Sequence, residues 1–528
     1  MTALDRRTLL QVLAAAGAAR LFGGAAPAAA AATGLSFGPA QAFSYDWLKQ
    51  HARDLAARPY QAPPRPDPAI VERIDYDAHG KLRFRKDFAL YREGSYPISF
   101  QHVGRFFPKT VRMHAVDGGT AREVLYDPTL FTVTADHVAA GLGEEPSAFA
   151  GFWVHEPPAK GDLDRVEPWA TFLGASYFRG VGELGQVGLS ARGIALAPGA
   201  PGPEEFPDFT DYWFVPAAGP DDPVTVYALL NGPSVAGAYR FLLRRTSGVV
   251  MDIEAAIHPR RSIERLGLAP LTSMFWFSET AKPTMVDWRP EVHDSDGLAL
   301  WTGSGERIWR PLNNPPRIAF SSFLDENPRG FGLAQRDRSF DHYQDGVRYH
   351  LRPTAWVEPL GDWGRGVVQL VEIPTDDEIH DNIVAMWIPD APHGAGSHLE
   401  IAYRLHWLAD EPYPGELARC VATRLGNGGQ PGQPRPKGVR KFMVEFLGGP
   451  LKELPMGVLP EAVLSASAGE FSYVFTEAVP NDVPGHWRAQ FDLTVEGDAP
   501  VELRCFLRNG DQVLSETWLY QYHPQSTV

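Results

Sequence analysis

Apolar and polar positions alternate with a period of two in Lys81-Leu-Arg-Phe-Arg85 and Arg348-Tyr-His-Leu-Arg352, while Val224-Thr-Val-Tyr-Ala-Leu-Leu230 passes from alternation into a continuous apolar run. Successive side chains of a strand point to opposite faces, so runs of this kind predict strands. Similar runs cover 298–301, 367–373, 383–388, 398–407, 417–423, 442–446, 471–475, 487–495, 501–507 and 516–522. A helical pattern is confined to short segments such as Phe43 to Arg53 and Pro233 to Phe241. No fixed period recurs, which argues against a propeller or a solenoid. The chain is therefore read as all-β, with a large β-sandwich as its main architecture.

Two domains are expected. The strand-like run ending at Trp407 is followed by the turn-rich Asp410-Glu-Pro-Tyr-Pro-Gly415, which places a boundary between residues 33–408 and residues 412–528. Gly426-Asn-Gly-Gly-Gln-Pro-Gly-Gln-Pro-Arg-Pro436 has a linker's composition but lies between two strand runs, so it is read as a long loop inside the second domain. The strand spacing there suits an immunoglobulin-like sandwich of about seven strands.

Residues 1–32 carry Arg6-Arg7, an apolar run from Leu9 to Ala19 and Ala-x-Ala cleavage options, the pattern of a secretory leader. The paired arginines before Thr8-Leu9-Leu10 point to the twin-arginine route. The apolar run is too short for a membrane span, and no other stretch qualifies. Cys420 and Cys505 are read as unpaired core thiols in a compartment that permits disulfides. A formal net charge of -15 disfavours nucleic acid and anionic membrane surfaces as partners.

Candidate chemistry concentrates on two acidic loops. Asp376, Asp377, Glu378, His380 and Asp381 stand between the β-branched runs at 367–373 and 383–388, with Pro374 ending the first. A second cluster, Asp287-Trp-Arg-Pro-Glu-Val-His-Asp-Ser-Asp-Gly297, precedes the strand-like Leu298 to Trp301. Carboxylates facing one another across a groove are what glycoside hydrolysis requires, one to protonate the leaving oxygen and one to activate water or attack the sugar. Solvated turns are the bland alternative. Metal and phosphate readings fail on spacing. With Asp294 first, a calcium loop would need Glu where Gly305 stands; no zinc spacing, Walker loop, dinucleotide fingerprint or nucleophile elbow occurs, so no metal and no cofactor is expected. Trp356, Trp363 and Trp387 flank the acid loop as candidate sugar-stacking faces. Arg289, Arg352 and Glu358 are candidates for hydroxyl contacts, with loop-bracing ion pairs as the alternative.

Arg289-Pro-Glu-Val-His-Asp-Ser-Asp-Gly297, Asp325-Glu-Asn-Pro-Arg-Gly-Phe-Gly332, Trp356-Val-Glu-Pro359, Val371-Glu-Ile-Pro-Thr375 and Phe172-Leu-Gly-Ala-Ser-Tyr-Phe178 resemble the periplasmic glucan biosynthesis proteins G and D, and the likeness spans nearly all of the mature chain. The resemblance implies a large N-terminal sandwich related in shape to galactose mutarotases, an immunoglobulin-like C-terminal domain and a periplasmic protein that shapes a β-1,2-linked glucan backbone. It further implies inverting β-1,2-glucanase activity with Asp381 as general acid and Asp294, or alternatively Asp296, as base, with Glu378 in the substrate site. Transfer of the glucan to a sugar hydroxyl, including cyclisation, is the alternative within the enzyme class. From another class comes a non-catalytic protein that presents glucan to a membrane synthase or a transferase.

Overall fold

The computed structural model describes residues 34–157, 166–282, 285–391 and 393–524, so the expected leader at 1–32 lies outside the described residues. Two large sheets dominate, one of sixteen strands and one of ten. The centre of the larger sheet is an antiparallel series, Val224–Asn231, Val235–Arg245, Val249–Pro259 and Leu399–Leu408. The smaller sheet runs from Ala319–Glu326 through Arg365–Glu372, Ile383–Pro389 and Leu266–Ser273 to Ile98–His102.

An aromatic layer joins the two. Phe172 of the smaller sheet stacks on Phe152 at 4.7 Å between centroids and meets Phe241 of the larger sheet edge-on at 5.1 Å. Such rings bring large apolar area and prefer offset or edge-on contact, so they lock the sheets face to face. The molecule is thus the β-sandwich expected. Its principal helix, Tyr45–Ala56, is the one expected near Phe43; the Ser44 side chain caps it by accepting from the Trp47 N–H.

Two expectations are corrected. Pro233 to Phe241 is not helical, because Val235–Arg245 is an inner strand paired along both edges. Val235, Tyr239, Phe241 and Leu243 are fully buried, and sheet packing outweighs the local helical pattern. Arg348 to Arg352 is not a strand. Arg348 takes a left-handed backbone with φ 61°, and Tyr349–Leu351 form a single 3-10 turn.

The C-terminal strands pack around a second core containing Phe442, Phe491 and Trp518. Arg419–Asn427, Val439–Leu447, His486–Thr494 and Glu470–Ala478 form a four-stranded sheet, with residues 428–438 as the long connection inside its first hairpin. The facing strands Thr517–Tyr522, Val501–Asn509 and Glu461–Ala466 continue the sixteen-stranded sheet. The join is parallel, Ile308 beside Thr517 and Trp309 beside Trp518. Both cysteines are free and buried.

Candidate functional site

The acid loop is the connection between Arg365–Glu372 and Ile383–Pro389, paired up to Glu372 and Ile383. Side-chain amides hold both its ends. Asn382 accepts from the Phe275 N–H at 2.8 Å and donates to the carbonyls of Phe275 and Ile373, each at 2.9 Å. Asn314 accepts from the Thr375 N–H at 2.9 Å and donates to the Thr375 carbonyl at 2.7 Å. Asp381 therefore projects from a braced loop rather than a loose one.

Asp381 lies 4.0 Å from Nη2 of Arg179, a buried residue on the Tyr177–Gly180 strand. Arg179 Nε donates to the Ser190 hydroxyl at 2.6 Å, while its Nη1 has no hydrogen-bond partner among the described residues. Burial holds this guanidinium below its ordinary range, to about 10; Asp381 works against that and Arg352 reinforces it. Arg352 in turn lies 3.5 Å from Asp294, which is fully buried. Burial lowers Arg352 as well, and its Nη1 is anchored on the Val187 carbonyl. Asp381, Arg179, Arg352 and Asp294 thus form one row of charges joining the two loops.

Glu378 belongs to the same rim. Its Oε2 accepts from Arg289 Nη1 and from the Tyr349 hydroxyl, both at 2.7 Å. Arg289 also grips Asp287 through Nε and Nη2, each at 3.0 Å, and reaches Asp345 at 3.3 Å. Burial opposes its charge, but hydrogen bonds to Asp287 and Glu378 outweigh that and raise Arg289 above its ordinary range.

Asp296 serves a different network. Its Oδ2 accepts from the backbone N–H groups of Arg336 and Asp337, and its Oδ1 faces His293 Nδ1 at 3.5 Å. Burial raises Asp296 to about 6, against the pull of His293. His293 donates from Nε2 to Glu291 at 2.9 Å, and its Nδ1 lies 3.1 Å from Gln335 Oε1. The Gln335 amide nitrogen donates to the carbonyls of His293 and Tyr349, which leaves Oε1 as an acceptor. Both imidazole nitrogens are donors, so His293 is a buried imidazolium; burial opposes this, and Glu291 and Asp296 lift it to about 9. Glu291, His293 and Asp296 lie close enough to share a cation, which would have to displace the His293 proton to bind there. Glu291, Asp337 and His342 also converge, but Glu291 serves His293 and His342 Nδ1 is engaged by Asp337.

Four expected binders have their contacts elsewhere. Trp356 is buried against Gly330 and Gly332; a Cβ at Gly330 would stand 2.4 Å from its ring, so it offers no face to a sugar. Trp387 is likewise buried, against Gly366. Trp363 is half-buried, packs on Trp387 and Tyr403, and donates to the Ala402 carbonyl at 3.1 Å. Glu358 accepts from His406 at 2.9 Å and from the Tyr413 hydroxyl at 3.0 Å. Arg179, Tyr349 and Asp345 were missed, and so were Trp276 and Trp288, whose rings lie 5.9 and 5.8 Å from the Arg289 guanidinium. A lone arginine inside the apolar Tyr177–Gly180 strand was the available signal for Arg179.

Fold and site define a β-sandwich protein that gathers carboxylates and buried arginines on loops at one rim. Residues 43–522 match the family described as periplasmic glucan biosynthesis protein, MdoG. The chain is 61% identical over 514 residues to glucans biosynthesis protein D 2 of Ralstonia nicotianae, covering 96% of this chain and 95% of that protein. It is 47% identical to glucans biosynthesis protein D of Xanthomonas campestris pv. campestris, over 94% of this chain and 93% of the relative, and 47% identical to that of Stenotrophomonas maltophilia, over 92% and 91%. The chain belongs to the periplasmic glucan biosynthesis protein family, which gives it a periplasmic location and a role in making periplasmic glucan. No helix among the described residues is long and apolar enough to cross a membrane.

Proposed function

We propose that the protein is an inverting β-1,2-glucanase, with Asp381 as general acid and Asp294 as the base that activates water. One observation carries this reading: Asp381 and Asp294, on separate loops, stand at the two ends of a single row of charges through Arg179 and Arg352. Inversion needs room for a water between base and sugar, with carboxyls roughly 6.5–9.5 Å apart. Asp294 is fully buried, so a relay through a substrate hydroxyl or a water would lengthen that gap. Asp296 is the weaker choice of base, because its carboxylate braces the backbone of Arg336 and Asp337.

The accompanying proposals are export by the twin-arginine route with removal of residues 1–32, and a domain division near 408–412. Incubation of the mature protein with linear β-1,2-glucan tests the activity. Asp381→Asn lowers turnover by about two to four powers of ten while glucan still binds. Near-normal cleavage by that variant, or a first product with the β configuration, would refute the assignment.

A further inference from the structure

A groove of about 880 Å³ lies between the sandwich rim and the C-terminal strands. Trp276 and Asn314 line it from the sandwich, and Leu425, Gly426, Arg440 and Tyr522 from the C-terminal strands. That volume falls within the range of ligand sites, roughly 300–1,000 Å³. Its lining contains no carboxylate among the described residues. His523, also in the lining, is held down to about 4 by burial and by Arg310 and Arg317, so it is neutral at pH 7. Among the described residues, Arg440 is left as the single formal charge of the lining.

Aromatic faces with amide and guanidinium donors, and no acid, suit a neutral polyhydroxylated ligand: C–H faces of the sugar cover the rings and hydroxyls meet the donors. Hydrogen bonds tie the lining of the groove to the acid loop. Asn314 donates to the Trp276 carbonyl at 3.0 Å as well as to Thr375, and the Trp276 ring lies against Arg289, which holds Glu378. On the glucanase reading, a polymer held beside Asp381 would pass Arg289 and Trp276 to reach the groove.

We propose that this groove is a non-catalytic subsite for the distal part of a linear β-1,2-glucan chain; the inference rests on the glucanase reading above. Gly426 offers a clean test, because it is exposed, its backbone is not left-handed, and a Cβ there would meet nothing within 4 Å. In the full mature chain carrying Asp381→Asn, calorimetry compares Gly426→Trp, Gly426→Ser and Arg440→Ala with the parent, using long linear β-1,2-glucan and a short oligosaccharide of the same linkage. Gly426→Trp and Arg440→Ala weaken the long glucan about five- to tenfold, a loss of the size of one stacked ring, and leave the short ligand unchanged. Gly426→Ser leaves both unchanged. Unaltered affinity of the Gly426→Trp protein for long glucan would overturn the subsite, as would an equal loss for both ligands. Failure of the parent to bind either ligand would instead sink the glucan reading on which the subsite depends.

Discussion

At the seam with the C-terminal strands, half-buried Arg336 donates to Glu516 at 2.6 Å and to Glu411 at 2.7 Å, and its guanidinium lies 3.7 Å over the Trp309 ring. At the loop rim, fully buried Arg179 has its carboxylate partner only at 4.0 Å; each of the two arginines keeps one nitrogen without a hydrogen bond among the described residues, so the difference lies in how closely the carboxylates approach. Burial works against both charges. At Arg336 the two glutamates outweigh it and raise the guanidinium above its ordinary range; at Arg179 burial wins. A buried charge matched by its neighbours braces a structure, whereas one left undermatched has bonding capacity that a ligand can take up.

The largest effect belongs to the matched side. Arg336→Met strands Glu516 without its cation and leaves Glu411 with Arg419 and the more distant Arg307, and unfolding in denaturant shows a loss of about 3–5 kcal/mol. A loss below about 1 kcal/mol would mean that the seam does not depend on this compensation. Arg179→Met behaves in the opposite way. It removes an undermatched buried charge, so stability changes little, while turnover on β-1,2-glucan falls about ten- to a hundredfold, the range of one charge-assisted contact. Destabilisation comparable to that of Arg336→Met, with normal turnover, would reverse the comparison.

The His293 network gives the third effect, read from pH. His293 is raised from 6.5 to about 9, so its contribution to stability is complete below about pH 6.5 and disappears as pH rises through about 9. Burial raises Asp296 to about 6 and Glu279 to about 8, with Glu291 adding to the shift of Glu279. All three shifts mean that the folded chain holds more protons than the unfolded one, so stability declines from mildly acid pH toward pH 9. His293→Gln flattens the part of that decline above about pH 6.5. An unchanged slope in the variant would show that the imidazolium is not its source.

Much of the rim is legible in the amino-acid sequence. The acid loop announces itself because Val367 to Ile373 and Ile383 to Ile388 are β-branched runs broken by Pro374, and these became the hairpin Arg365–Glu372 and Ile383–Pro389. Arg289 and Arg352 were picked out and do lie at the rim. Tyr349 was hidden, because alternation in residues 348–352 imitates a strand, and only the left-handed backbone at Arg348 turns it toward Glu378. Local pattern also carries no trace of the parallel join between Ile308 and Thr517, which brings together residues more than two hundred positions apart. Arg179 depends on the same long-range assembly, since its partner Asp381 comes from another part of the sheet.

The smallest effect separates tryptophans in the same way as arginines. Trp363 is committed to packing on Trp387 and Tyr403, and its indole donates to the Ala402 carbonyl. That carbonyl also accepts from the Leu360 N–H at 2.9 Å, so it keeps a partner when the indole is removed. Trp363→Phe therefore costs about 0.5–1 kcal/mol in unfolding experiments, the net worth of one hydrogen bond, and leaves glucan affinity unchanged. Trp288 is 68% exposed beside Arg289, and Trp288→Ala reverses the pattern: no change in stability, and glucan affinity lowered several-fold through a lost stacking face. Reduced glucan affinity in Trp363→Phe with full affinity in Trp288→Ala would return sugar contact to the acid-loop tryptophans and remove it from the rim.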